Sequence, residues 1–160
     1  MTGKAPFGPL QGLRVVEMGQ LLAGPFVGSR CADFGAEVIK VEAPGSGDPI
    51  RSWGRLQHEG KTLWWPIMAR NKKSVSINLR AAEGQELARS LIAQADVLIE
   101  NFKPGTLERW GMSPEQLHAL NPGLVIVRVS GFGQTGPYAA RPGFASVGEA
   151  MSGLRYINGY

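Results

Sequence analysis

A single cysteine, Cys31, in 160 residues excludes an internal disulfide framework and a cysteine-rich zinc site. Two histidines, His58 and His118, leave little room for imidazole chemistry. His118 falls on a predicted helix and reads as a surface residue. A Ser-His-Asp or Cys-His centre would have to draw His58 out of an irregular loop. No run approaches the ~18 apolar residues of a membrane span, and the opening MTGKAPFGPLQG lacks the apolar stretch of a signal peptide. The expectation is a soluble, cytoplasmic (or organelle-matrix) protein with no membrane partner and no metal site. Also missing are a G-x-G-x-x-G after the first strand, a Walker A spacing and a G-x-S-x-G elbow. A nicotinamide-dependent oxidoreductase would therefore need a degenerate fingerprint.

Charge is the next constraint. Seventeen Lys and Arg against thirteen Asp and Glu give a net charge of +4, which suits an anionic ligand such as a phosphate. The longest basic cluster is only Arg70-Asn71-Lys72-Lys73, too little for a nucleic-acid interface.

What is present is an alternation of short apolar strands and amphipathic helices. After a lead-in over residues 1–12, strands are predicted at 13–18, 37–42, 74–79, 96–100 and 124–129. The first two flank a helix over 25–34, in which Pro25 suits the first helical position and Gly35 the C-terminal cap. Cys31 on that helix is expected to pack in the core. Ala81 to Ala95 reads as a helix with Leu87, Leu91 and Ile92 on one face. Shorter helices are expected over 104–110 and from Ser113 to just before Asn121-Pro122. Residues 144–154 read as a further helix, after which 155–160 trail off. Residues 43–73 show no periodicity and read as a long functional excursion. This βαβ alternation predicts an α/β fold, a doubly wound and mainly parallel sheet.

Ligands in such a sheet sit beyond the carboxyl ends of the strands. Those ends are 20–24, 43–51, 78–80, 101–105 and 130–136, and each is rich in glycine, amides or hydroxyls. Glycine there admits a close ligand approach, and Arg51, Arg80, Lys103 or Arg109 could meet phosphates. The plainer alternative is that these glycines only make tight βα turns. Asp48 lies in one such loop and equally serves a turn; Asp96, at a strand start, reads as structural. The residues alone thus indicate an α/β domain binding a phosphate-bearing small molecule, with no identifiable nucleophile.

An ordered set of motifs goes further. Pro9-Leu10-x-Gly12-x-Arg14-Val15, Ala23-Gly24-Pro25, Gly35-Ala36-Glu37-Val38-Ile39-Lys40-Val41-Glu42 and Gly47-Asp48-x-x-Arg51 stand in the first third. Asn71-Lys72-Lys73-Ser74, Ala95-Asp96-Val97, Glu100-Asn101-Phe102-x-Pro104-Gly105, Asn121-Pro122 and Ser130-Gly131-Phe132-Gly133-x-x-Gly136-Pro137 follow. From about Pro9 onward the chain resembles the family III coenzyme A transferases (CaiB/BaiF type), whose superfamily also holds formyl-CoA transferases and 2-methylacyl-CoA racemases.

The resemblance implies a Rossmann-like, coenzyme A-binding large domain over 13–160, forming the N-terminal part of a larger transferase built as an interlocked homodimer. It implies coenzyme A contacts at Gln20, Leu21, Leu22 and Ala23, at Ile77 and Arg80, and at Asn101, Phe102 and Arg109. Coenzyme A or an acyl-CoA would be a substrate rather than a permanently bound cofactor, with a small carboxylic acid as co-substrate. Where some relatives carry an arginine after the Val-Glu strand, this chain has Ala43, so that phosphate contact is not carried over. The family's nucleophilic aspartate, which forms an aspartyl-CoA thioester, is expected beyond Tyr160, so no catalytic residue is assigned within the chain. Phe144 stands where racemases would place a histidine, which disfavours proton transfer at an α-carbon. A non-catalytic coenzyme A-binding fragment or subunit is the alternative reading.

Overall fold

The computed structural model describes residues 8–159. Its centre is a five-stranded sheet. The strands are β1 (Arg14–Glu17), β2 (Glu37–Glu42), β5 (Lys72–Ser76), β6 (Val97–Glu100) and β7 (Val125–Arg128). Their order is β5-β2-β1-β6-β7, and all four pairings are parallel. The chain therefore runs outward from β1 to one edge, returns to the other side of β1 and continues outward again. That reversal is a topological switch point between β1 and β6. The doubly wound parallel sheet expected from the sequence is present.

Both faces of the inner strands are covered, as a parallel sheet requires. Val16, Val41 and Leu98 face one layer together with Ala88 and Ile92 of α3 (Ala82–Ile92) and Leu117 of α5 (Pro114–Leu120). Val15, Val38 and Ile99 face the other layer with Ala32 of α1 (Ala23–Asp33). Helix α5 opens on a capping box in which the Ser113 hydroxyl accepts from Gln116 N–H while the Gln116 side chain accepts from Ser113 N–H. These two bonds satisfy donors that the helix itself cannot.

Several expectations shift. The third strand of the sequence reading, placed at 74–79, is β5 at Lys72–Ser76. It starts early because backbone pairing with β2 already begins at Lys72, opposite Val38, where the Lys72 ammonium also donates to Glu17 Oε2 at 2.6 Å. In α3, Ile92 is buried and Leu91 packs on the core as expected, but Leu87 is 58% exposed, and Gly84 and Ala88 complete the buried stripe. A Cβ on Gly84 would lie 1.9 Å from the Asn78 carbonyl oxygen, so close approach to the β5–α3 loop, not apolar bulk, selects that face. Residues 43–71 are not irregular throughout. They form a 3-10 turn (Pro49–Ser52), an antiparallel ribbon of β3 (Gln57–His58) and β4 (Lys61–Thr62), and helix α2 (Trp64–Ala69). The helix expected over 104–110 is the single turn α4 (Thr106–Arg109). The 144–154 segment is α6 (Ala145–Met151), and a separate α7 (Leu154–Asn158) follows where no structure was expected. Gly153, at φ 81°, separates α6 from α7.

Cys31, on α1, is half-buried against the layer of Val15, Val38 and Ile99, and burial pushes its thiol up. Among the described residues no helix is long and apolar enough to cross a membrane, and no group of three His, Cys, Asp or Glu side chains could hold a metal ion.

Candidate functional site

At the carboxyl ends of β1, β2, β5 and β6 the sheet opens into a cleft of about 590 Å³. Met18, Val41 and Ile77 form apolar lining, while Gln20, Arg80 and Lys103 bring polar and cationic groups and Phe102 an aromatic one. A second depression of about 550 Å³ lies at the opposite ends of the strands. Its charges are spent on one another, since Glu37 takes both Arg14 and Lys73. The carboxyl-end cleft, at the switch point, is where a parallel sheet offers free strand ends and backbone amides to a ligand.

The loop after β1 is held from several sides. The Asn101 side chain accepts the Gln20 N–H at 2.7 Å and donates to the Gln20 carbonyl at 2.9 Å. Gly19 and Gly24 permit this, because a Cβ on either would meet Asn101 Oδ1, at 2.9 and 3.4 Å. Lys40 Nζ donates to the Gly19 carbonyl at 3.0 Å. The next residue, Leu21, sits at φ 60°, a left-handed conformation that costs a branched side chain about 1–2 kcal/mol. Its N–H donates to Asp48 Oδ1 at 3.1 Å.

Beneath that loop lies a buried set of four charges. Glu17 and Lys40 are register partners on β1 and β2 and pair at 2.8 Å, with side chains 0% and 2% exposed. Asp48 Oδ2 is 2.7 Å from Lys40 Nζ but makes no directed hydrogen bond, so the contact is a charge pair with poor angles. Lys72 completes the set against Glu17 and the Pro25 carbonyl, and burial pushes its ammonium down against the pull of Glu17. Helix α1 can close over these charges only at a glycine, since a Cβ on Gly28 would stand 1.9 Å from Glu17 Oε2. The signal for this cluster was visible as Glu17 and Lys40 embedded in otherwise apolar strands, yet the sequence reading passed over both.

Glu42 anchors the next loop. Burial alone would push its carboxyl up, but hydrogen bonds from Arg51, Ser74 and the Asp48 N–H outweigh that and hold it at about 2. Arg51, a candidate phosphate partner in the sequence, is instead a strut. It binds Glu42 through Nε and Nη2 at 2.7 and 2.8 Å and stacks 3.5 Å from the centre of the Trp65 ring. Because the folded carboxyl titrates below the unfolded value, its contribution is full above about pH 4.5 and is lost as pH falls toward 2. Glu42→Gln is expected to flatten the acid limb of stability by roughly 2–3 kcal/mol, read from urea midpoints between pH 6 and 2.5.

On the other side of the cleft, Glu100 accepts the Phe102 N–H at 2.7 Å and Arg128 Nε at 2.8 Å. Burial pushes its carboxyl above the ordinary range despite both. Phe102 stands edge-on to Trp110, with ring centres 5.2 Å apart.

The nine sequence-assigned positions are thus distributed unevenly. Gln20, Ile77, Arg80 and Phe102 line the cleft. Leu21, Leu22 and Ala23 lead into α1 at its rim. The Asn101 amide is turned onto Gln20, and Arg109 donates to Thr106, itself a lining residue. Asp96 is structural, accepting the Arg14 N–H at 2.7 Å. His118 is occupied too, its Nε2 3.0 Å from the Leu124 carbonyl oxygen.

The succinyl-CoA–D-citramalate CoA-transferase of Chloroflexus aurantiacus is 60% identical over the whole chain, which spans 40% of that protein. The mouse succinyl-CoA:glutarate CoA-transferase is 40% identical over 94% of the chain and 35% of its own length. Among solved structures, a CAIB/BAIF family protein from Brucella suis superposes with a TM-score of 0.85 at 45% identity, over 92% of this chain and 40% of that one. The chain thus spans about two fifths or less of these relatives. The family model described as CoA-transferase family III matches residues 10–160, nearly every residue that builds the sheet, the switch point and the cleft, and the chain belongs to that family.

Proposed function

We propose that this chain supplies the coenzyme A-binding face of an acyl-CoA:carboxylate CoA-transferase, with succinyl-CoA as donor and a short dicarboxylic acid as acceptor. The carrying observation is the cleft itself: an apolar lining with exposed Arg80 and Lys103. That composition suits a thioester whose pantetheine arm is largely apolar and whose nucleotide end carries phosphates. Gln20 offers its side-chain amide from a turn shaped by Leu21. Leu22 and Ala23 offer backbone N–H groups at the helix entrance, Phe102 an aromatic wall, and Arg80 and Arg109 cationic groups for phosphates. The succinyl donor and dicarboxylate acceptor follow the names of the curated relatives.

The chemistry is carboxylate nucleophilic catalysis. An aspartate attacks the thioester carbonyl, the coenzyme A thiolate leaves and a mixed anhydride forms. The thiolate then attacks the aspartyl carbonyl, releasing succinate and leaving an aspartyl-CoA thioester. The acceptor carboxylate attacks that thioester to give a second anhydride, and the returning thiolate delivers the new acyl-CoA while freeing the aspartate. Within the described residues the buried carboxylates flanking the cleft, Glu42, Asp48 and Glu100, are all engaged. In this reading the nucleophile is the aspartate that the family resemblance implies beyond Tyr160, and the rest of an interlocked homodimer likewise lies outside residues 1–160.

The test is incubation of the full-length protein with succinyl-CoA and citramalate, malate or glutarate. Formation of the acceptor's thioester is expected; inertness toward all three, in a protein that binds coenzyme A, overturns the transferase reading. Arg80→Ala should weaken coenzyme A binding by about 10–100-fold and lower its salt dependence, measured by calorimetry at two ionic strengths.

A further inference from the structure

We infer that Asp48, held beside Lys40, is a positioning residue that fixes the Gln20–Leu21 peptide at the mouth of the cleft. This rests on the coenzyme A-binding reading and adds a role for a side chain that does not itself line the cleft.

Four contacts converge on two successive peptides. Lys40 Nζ donates to the Gly19 carbonyl, Asn101 takes both backbone groups of Gln20, and Asp48 Oδ1 takes the Leu21 N–H. With the backbone so occupied, the Gln20 side chain is the group left to meet a ligand, and Gln20 lines the cleft. Of these contacts, only the one from Asp48 falls on the residue with a left-handed backbone, Leu21 at φ 60°. A bulky residue remains in that region only when its surroundings over-determine it.

Asp48 is itself immobilised. It is 2% exposed, its own N–H donates to Glu42 Oε2 at 2.9 Å, and its Oδ1 also accepts the Ile50 N–H at 2.9 Å. Its second oxygen faces Lys40 at 2.7 Å. The same carboxylate oxygen thus caps the 3-10 turn and grips the loop after β1, joining two segments 27 residues apart. A turn-forming aspartate needs only the Ile50 contact; the bond to Leu21 is additional and points toward the site.

The experiment compares the full-length parent, D48N, D48A and D48A combined with L21G. Coenzyme A affinity is measured by calorimetry and stability by thermal melting. The side-chain amide in D48N would keep an oxygen for both N–H groups while losing the charge that faces Lys40. D48N should therefore bind within about threefold of the parent even though it melts lower. D48A should bind about tenfold or more weakly. L21G should recover at least about threefold of that loss, because glycine adopts positive φ without steric cost.

Binding by D48A within threefold of the parent overturns the inference, as does D48N losing as much affinity as D48A. A parent that binds no coenzyme A overturns the binding reading and this inference with it. Should D48A fail to fold, amide exchange decides. A Leu21 N–H as slow in the parent and in D48N as the amides of β1 upholds the grip, and exchange in the parent at the rate of an open loop overturns it.

Discussion

Lys40→Met is expected to lower the unfolding free energy by about 3–5 kcal/mol, the range for removing one partner of a buried ion pair. Methionine matches the aliphatic stem of lysine, so packing is nearly retained and the loss is electrostatic. Glu17 would keep Lys72 as its only cation, while Asp48 would be left buried with none at contact distance. The four charges are neutral as a set, so any single removal leaves an uncompensated charge in the layer under α1. Glu17→Gln with Lys40→Met should therefore cost less than the two single changes added together, with a coupling above about 1 kcal/mol. Urea denaturation of the four proteins closes the cycle. A loss below about 1 kcal/mol for Lys40→Met would place this pair with exposed surface pairs and contradict its burial.

The second large effect is on binding. Asn101→Asp replaces the amide that donates to the Gln20 carbonyl by a carboxylate oxygen, so two acceptors would face each other at 2.9 Å. The Gln20 N–H would still find an oxygen, but the reciprocal pair would be gone. Coenzyme A affinity at pH 7.5 should fall about 30-fold, equivalent to about 2 kcal/mol. The facing carbonyl raises the new carboxyl's pKa, and the protonated acid can donate to Gln20. Affinity relative to the parent should therefore recover as the pH is lowered from 7.5 to 5. Asn101→Ala, which loses both bonds and adds no repulsion, should show a smaller and pH-independent deficit. Calorimetry at the two pH values separates the variants; an Asn101→Asp protein that binds like the parent would show that the Gln20 peptide needs no such hold.

The inner strands were legible because their burial leaves a continuous apolar signature. The expected 37–42 is β2 itself, and β1, β6 and β7 differ from expectation by at most one residue at each end. The edge strand was harder. Ser74 to Leu79 alternates well, yet Ile77 and Leu79 serve the cleft wall and the core beside it rather than a longer β5. On α3, Leu91 and Ile92 do face the core, and only Leu87 was misplaced, for a related reason. Hydrophobicity ranks Leu87 above Gly84 and Ala88, whereas the helix docks where small residues let the backbone come close. Residues 43–71 resisted reading because long-range contacts organise them. Arg70 reaches Asp33, Ser29 donates to the Met68 carbonyl and Thr62 to the Ile50 carbonyl.

The site divided along the same line. Glycine-bearing strand ends are local features and pointed to the end of the sheet where the cleft opens. The buried Glu17, Lys40, Asp48 and Lys72 set could not be seen one segment at a time, because it exists only once β1, β2 and β5 are in register. Asp48 is the clearest case. Its turn role was readable from Asp48-Pro49, and its hold on Leu21 was not.

The position of β1 at the switch point also governs how the chain comes together during synthesis. Arg14, at the start of β1, meets Glu37 only 23 residues later but meets Asp96 82 residues later. A ribosome adding 5–20 residues per second delivers that second partner after roughly 4–16 s. Through that interval the β1, β2 and β5 half can form while the other edge of β1 carries unpaired backbone groups beside Val15 and Val16. The future centre of the sheet is then an open strand edge, the kind of surface that templates misassembly. Expression at lower temperature, or with strand-binding chaperones, should therefore raise the soluble yield by protecting β1 until β6 arrives.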